Sequence, residues 1–218
     1  MSRNRISRRI GGALALATAG WGLWTARYSL LHWGATYPEL QEPLPGDDLL
    51  PDARRVATRG ITIGAPPDEV WPWIAQLGQG RGGLYSYDWL ENLVGCEIHS
   101  VDHLVPEWQD VGVGDHVRLH PDTALTVVAV EPGAHLVLRP RPVERHGGVD
   151  RFPFDYTWAF VLRRHPGRRT RLIVRERYAI RSPAAIAIVE PLAVVSAVMG
   201  IKQLRGIRDR ATRVSRRG

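Results

Sequence analysis

The chain has 218 residues, 44% of them hydrophobic, a single cysteine and a formal charge of +7. That length suits one domain with extra segments at its ends, and a lone Cys96 excludes an internal disulfide. Four arginines in residues 1–9 and a net +6 over residues 202–218 leave −3 for residues 10–201. A mildly acidic body argues against a fold carrying its own basic stripe for nucleic acid, whereas basic ends beside apolar segments suggest a membrane surface.

Residues 1–33 form a basic and hydrophobic segment. Ile10 to Ala26 carries no charge and follows Arg3, Arg5, Arg8 and Arg9. One reading is a cleaved secretory signal with a small-residue site at Ala17-Thr18-Ala19. The other is a single membrane anchor with Trp21, Trp24, Tyr28 and Trp33 near an interface, and it is preferred because no sharp polar region precedes a cleavage site. Basic residues on the N-terminal side then predict a cell-membrane protein whose domain lies outside the cytoplasm. Residues 34–55 read as a linker: Pro38, Pro43, Pro45 and Pro51 oppose a regular helix, and Glu39, Glu42, Asp47 and Asp48 predict a solvated stretch.

The domain is expected over residues 56–211. Val56 to Ile63 alternates as a strand, with Arg59, Ile61 and Ile63 on one face. Ala65-Pro66-Pro67-Asp68-Glu69 opens a helix, because proline and acids suit its first turn. Val70, Trp73, Ile74 and Leu77 form its buried stripe. Gly78 to Gly83 is too rich in glycine for a regular element, and without a Gly-Lys-Ser/Thr it is not a phosphate loop. From Ser86 the spacing predicts a short helix ending at Gly95, with Leu90, Leu93 and Val94 as an apolar seam. A flexible loop thus delivers aromatic and polar-tipped side chains, as at the mouth of a small-molecule pocket.

Five strands follow the irregular Glu97 to Gln109: Asp115 to His120, Leu125 to Glu131, His135 to Arg141, Asp155 to Arg164 and Thr170 to Ile180. They are joined by turn signals at Pro121-Asp122, Pro132-Gly133 and His165-Pro166-Gly167. Alternation puts Tyr156, Trp158, Phe160 and Leu162 on one face, and Leu172, Val174, Glu176 and Tyr178 on one face of the next strand. Glu176 on an apolar face needs a partner or a polar cavity, and Arg59 is the candidate partner. Ser182-Pro183 opens a long amphipathic helix with Ile188, Leu192, Val195, Met199 and Ile201 as its apolar stripe. Residues 212–218 form a basic tail. Glu190-Pro191 argues against a second membrane span.

Strand, helix, short helix, antiparallel strands and long C-terminal helix make an α+β helix-grip order. Ile61-Thr-Ile-Gly-Ala-Pro-Pro-Asp-Glu-Val-Trp-Pro-Trp73 resembles the opening of the START-like (SRPBCC) superfamily, which includes polyketide cyclases and lipid-transport domains. Gln79-Gly-Arg-Gly-Gly-Leu-Tyr-Ser-Tyr-Asp-Trp-Leu-Glu-Asn92 is similar to a membrane-anchored actinobacterial subgroup of unestablished activity. Pro106-Glu-Trp-Gln109, Thr157-Trp-Ala-Phe160 and Thr170-Arg-Leu-Ile-Val-Arg175 extend the resemblance over about residues 56–211.

That resemblance implies a curved sheet gripping the C-terminal helix around a cavity for a hydrophobic small molecule or lipid. The expected lining is Tyr85, Tyr87, Trp89, Trp108, Trp158 and Glu176, with Arg81 and Asn92 at the entrance. The expected function is a membrane-tethered binding or transfer domain. The membrane would be met through the N-terminal helix, with the basic tail as a candidate second contact, and no nucleic-acid partner is expected. A cyclase or dehydratase using Glu176 is the alternative, as is an interaction domain with a filled core. No cofactor is expected. Neither is a metal: His99 with His103, and His116 with His120, are pairs that chance supplies often.

Overall fold

In a computed structural model, residues 18–140, 143–145, 148–150 and 154–215 are described; the expected basic segment before residue 18 and the last residues of the tail lie outside them. Residues 18–31 are helical (α1). They are followed by α2 (Tyr37–Gln41), β1 (Arg55–Ile63), α3 (Pro67–Ala75), α4 (Asp88–Leu93) and a 3-10 turn at Pro106–Trp108. Then come β2 (His116–His120), β3 (Thr123–Glu131), β4 (His135–Pro140), β5 (Val143–Arg145), β6 (Gly148–Asp150), β7 (Phe154–His165), β8 (Arg169–Ile180) and α5 (Pro183–Ser215). Six strands form one curved antiparallel sheet in the order β1-β8-β7-β4-β3-β2, and β5 and β6 pair separately. Bulges between Arg118 and His120 and between Val127 and Ala129 interrupt the ladders at the β2–β3–β4 end, where such insertions bend a sheet. The long C-terminal helix packs against β1, β8 and α3. This is the helix-grip fold.

The β7–β8 ladder carries the core in the expected parity. Trp158 pairs with Glu176, Phe160 with Val174 and Leu162 with Leu172. The apolar members of these pairs join Ile61, Ile63, Val70, Trp73 and Ile74 in one buried cluster.

Two expectations are corrected. The first concerns α5. Its buried face is Ala185, Val189, Ala193, Ala197, Gly200, Leu204, Ile207 and Ala211, while Ile188, Leu192 and Val195 are exposed. Small residues let the helix lie close to its neighbours, so the larger aliphatics are turned away from the closest contact. Gly206 shows how close: a Cβ there would stand 2.3 Å from the Tyr85 carbonyl oxygen.

The second correction concerns residues 34–55, which are not a solvated linker. Leu44 packs with Val161 and Ile173 on the outer face of the sheet, and Leu50 is buried. Glu39 accepts two bonds from Arg171, each 2.7 Å, and Glu42 accepts one from Arg163 at 2.6 Å. Burial opposes ionisation of Glu39, but the Arg171 bonds overcome it and hold its carboxyl below the usual range. The acids that looked solvated are the partners of arginines that alternation places on this face of β7 and β8. The prolines do not prevent a short helix either, since Pro38 sits in the first turn of α2.

Candidate functional site

Between α5, α4 and the sheet lies a cavity of about 760 Å³ that opens to the surface. Helix α5 contributes Leu192, Val195 and Met199, the segment around α4 contributes Leu84 and Leu90, and β7 contributes Tyr156 and Trp158. The lining is overwhelmingly apolar. Helix α5 meets the sheet chiefly at β1 and β8, and on the β2–β3 side the cavity is lined by Leu119, Thr123 and Leu125.

Among the described residues three carboxylates line this cavity, Glu91, Asp122 and Glu176, and the two buried ones, Glu176 and Glu91, differ. Glu176 is fully satisfied. Its Oε1 accepts from the Arg59 guanidinium and from the Ser196 hydroxyl at 2.8 Å, and its Oε2 accepts from the Tyr178 hydroxyl at 2.9 Å. Arg59 reaches it diagonally, since the directly opposite residue on β1 is Ala57. Gly200 on α5 permits the approach, because a Cβ there would crowd the guanidinium at 3.0 Å. Burial, and then the Glu176 charge, push the Tyr156 and Tyr178 hydroxyls far above the ordinary tyrosine range, so both stay protonated.

Glu91 on α4 is the opposite case. It is 3% exposed, and neither carboxylate oxygen has a hydrogen-bond partner. Burial, and then the nearby Asp88 charge, push its carboxyl up to about 7. Asp88 itself is held by the Ser100 backbone and hydroxyl, each at 2.7 Å. The Trp158 indole N–H and the Arg59 Nε and Nη1 donors are further buried groups without a partner.

Of the eight residues expected at the site, Trp158 and Glu176 line the cavity and the other six do not. Tyr85 is a core residue, 1% exposed, whose oxygen accepts from the Gln76 amide at 2.9 Å; burial pushes its hydroxyl up to about 12. Arg81 donates to the carbonyls of Ala75 and Trp108, at 3.2 and 2.6 Å, and borders a separate pocket of about 340 Å³. Trp108 therefore serves through its backbone. Asn92 clamps Ile98 through paired bonds of 2.9 and 2.7 Å, closing the loop after α4. Tyr87 lies under the Lys202 ammonium, 5.8 Å from the ring centre, and Trp89 is 66% exposed.

Glu91 was the missed residue, although the sequence held a signal. It adjoins Leu90 and precedes Val94 by three, and both of these line the cavity. Among the described residues no group of three or more His, Cys, Asp and Glu side chains converges as a metal site.

No family model matches the chain, and no curated protein matches its sequence. Solved structures do. A Thermobifida fusca protein is 13% identical over 73% of this chain and 94% of its own, with a TM-score of 0.45. Norcoclaurine synthase from Thalictrum flavum is 13% identical over 82% and 95%, with a TM-score of 0.43. The Zhui aromatase/cyclase from Streptomyces sp. R1128 is 16% identical over 74% and 95%, with a TM-score of 0.42. Its own sheet order and gripped C-terminal helix give the chain the helix-grip fold that the resemblance to the START-like superfamily implied.

Proposed function

We propose that the chain is a membrane-tethered binding or transfer domain that holds a hydrophobic small molecule or lipid between the sheet and α5. The observation that carries this reading is the open apolar cavity of about 760 Å³, within the ~300–1,000 Å³ range of small-molecule sites. An interior merely filled by side chains would leave no such volume. Trp158 remains the expected aromatic contact, and the Glu176 cluster the polar end of the lining.

The tether is supported by two helices. In α1, Trp21, Leu23 and Trp24 are exposed, and in α5 so are Ile188, Leu192 and Val195. Arg27 of α1 pairs with Glu190 of α5, and Leu31 packs among Val189, Ala193 and Ala197. Glu190, whose charge argued against a second membrane span, is thereby neutralised, and Arg55 pairs with it as well. Among the described residues only α5 is long and apolar enough to cross a bilayer. Its contacts with β1, β8 and α3 favour a helix that offers one face to the membrane over one that spans it. Leu192 and Val195 also line the cavity, so a ligand would enter from the bilayer side. The N-terminal helix as anchor and an extracytoplasmic domain complete the proposal, with the basic C-terminal tail as the second contact for anionic headgroups.

The enzyme reading has less behind it. A general base needs a free lone pair aimed at substrate, and Glu176 is engaged by Arg59, Ser196 and Tyr178. Native mass spectrometry of the full chain, released from its own membranes, tests the proposal. The expected result is a co-purifying apolar molecule; an empty protein that also fails to take up hydrophobic probes overturns it.

A further inference from the structure

We infer that Glu91 is the recognition group of this cavity and that the ligand it takes is a lipophilic amine, held through its ammonium group. The inference rests on the binding function proposed above and narrows its substrate class.

The charges around the cavity carry the argument. From α4 and the loop after it come Glu91, Asp88 and Cys96; from β2 and its turn, His116 and Asp122; from β7 and β8, Tyr156, Glu176 and Tyr178. Helix α5 contributes no charged side chain to the lining. The Arg59 cation is paired with Glu176, and among the described residues that line the cavity His116 is the one side chain able to carry positive charge. Among the described lining side chains, the few charged groups are mostly acids.

Within it, Glu91 is a buried carboxylate that receives no hydrogen bond. Ser86 is close enough to favour its ionised form, yet the Ser86 hydroxyl is directed at the Met199 carbonyl, 3.1 Å away. Leaving a buried acceptor unpaired is costly, and a ligand that brings the donor recovers that cost. A carboxylate or phosphate ligand would meet Glu91 and Asp122 as like charges. An ammonium meets Glu91 as its missing partner, while the apolar remainder packs on Leu90, Tyr156, Trp158 and Met199.

The test uses the full chain in neutral-lipid nanodiscs and three matched probes: phenylbutylamine, phenylbutanol and phenylbutanoate. Calorimetry at about pH 8, where Glu91 is ionised and the amine protonated, is expected to give an amine about tenfold tighter than the alcohol. In Glu91→Gln the amine-to-alcohol ratio falls to about one. In the wild type, lowering the pH to about 6 protonates Glu91 and reduces the same ratio, so the test does not depend on the variant folding. An amine that binds no tighter than the alcohol, or an advantage that survives Glu91→Gln, overturns the assignment while leaving the cavity a binding site. Failure of all three probes overturns the binding function and this inference together.

Discussion

On its cavity face β8 presents one charge, Glu176, and on its outer face a row of arginines that includes Arg171, Arg175 and Arg177. Glu176 is neutralised by parts of the grip itself: Arg59 from β1, Ser196 from α5 and Tyr178 two places along its own strand. The arginines are neutralised by residues 34–55, which lie across the sheet. Arg171 takes Glu39, Arg175 and Arg177 share Asp47, and Arg177 also bonds the Leu50 carbonyl. The same period-two chemistry therefore serves two ends. Inside, one pair is sealed by sheet and helix, so it fixes the approach of α5. Outside, repeated cations fasten a segment with little core of its own.

The sharpest way to break this comparison is to remove one partner of the inner pair. Arg59 is 0% and Glu176 1% exposed, so Arg59→Met strands a buried carboxylate. We expect Arg59→Met to lower the unfolding free energy by about 3–5 kcal/mol, read by chemical denaturation. Arg59→Met with Glu176→Leu should recover most of that loss, because the desolvation cost of both charges disappears. A double variant as unstable as the single one would show that the pair contributes more than its own neutralisation.

The outer face should yield a smaller number and a different symptom. Arg175 donates to Thr58 at 3.0 Å, to the Glu42 carbonyl at 2.9 Å and to the Glu39 carbonyl at 2.6 Å. Arg175→Ala is expected to cost about 2–3 kcal/mol, the scale of a charged donor lost from buried acceptors. Limited proteolysis should then cut first within residues 34–55 while the sheet persists. Cleavage that starts elsewhere would mean that the segment is held by Leu44 and Leu50 and not by the arginines.

How much of this was legible in the sequence follows from how local each feature is. The parity of β7 and β8, the Arg59–Glu176 partnership and the order of elements were readable, since each depends on alternation within one strand or on turn residues beside it. The packing face of α5 was not. A helix carrying both Ala185/Val189/Ala193/Ala197 and Ile188/Leu192/Val195 offers two apolar faces, and only the closeness of its neighbours selects the small one. Residues 34–55 looked like a linker because acids read as solvated until the arginines opposite them are known. Among the site residues, richness in aromatics around α4 drew the eye to Tyr85, Tyr87 and Trp89. Yet Tyr85 went into the core and Trp89 to the surface. Glu91 stayed hidden because an acid on a short helix looks exposed until its burial against the cavity wall is seen.

Glu91 also sharpens the comparison, as a buried carboxylate that has been given no partner, and its effect should be the smallest and the most dependent on pH. Its carboxyl titrates at about 7 in the folded protein and at about 4.3 when unfolded. Below about pH 4 both states hold the proton and Glu91 adds no slope. Between about 4.3 and 7 the unfolded chain has released its proton while the folded one retains it, so stability falls as pH rises; above about 7 the loss is complete. Glu91→Gln removes that slope. At about pH 8 it should raise the unfolding free energy by about 1–2 kcal/mol, less than the whole shift would give, because the glutamine amide is itself a buried polar group without a partner. Thermal melts of both proteins across this range check the sign. A difference between wild type and variant that is flat from about pH 5 to 7, or a variant that is less stable at about pH 8, would mean that Glu91 has a partner of its own. The charge would then not be open to a ligand, and the contrast with Glu176 would disappear.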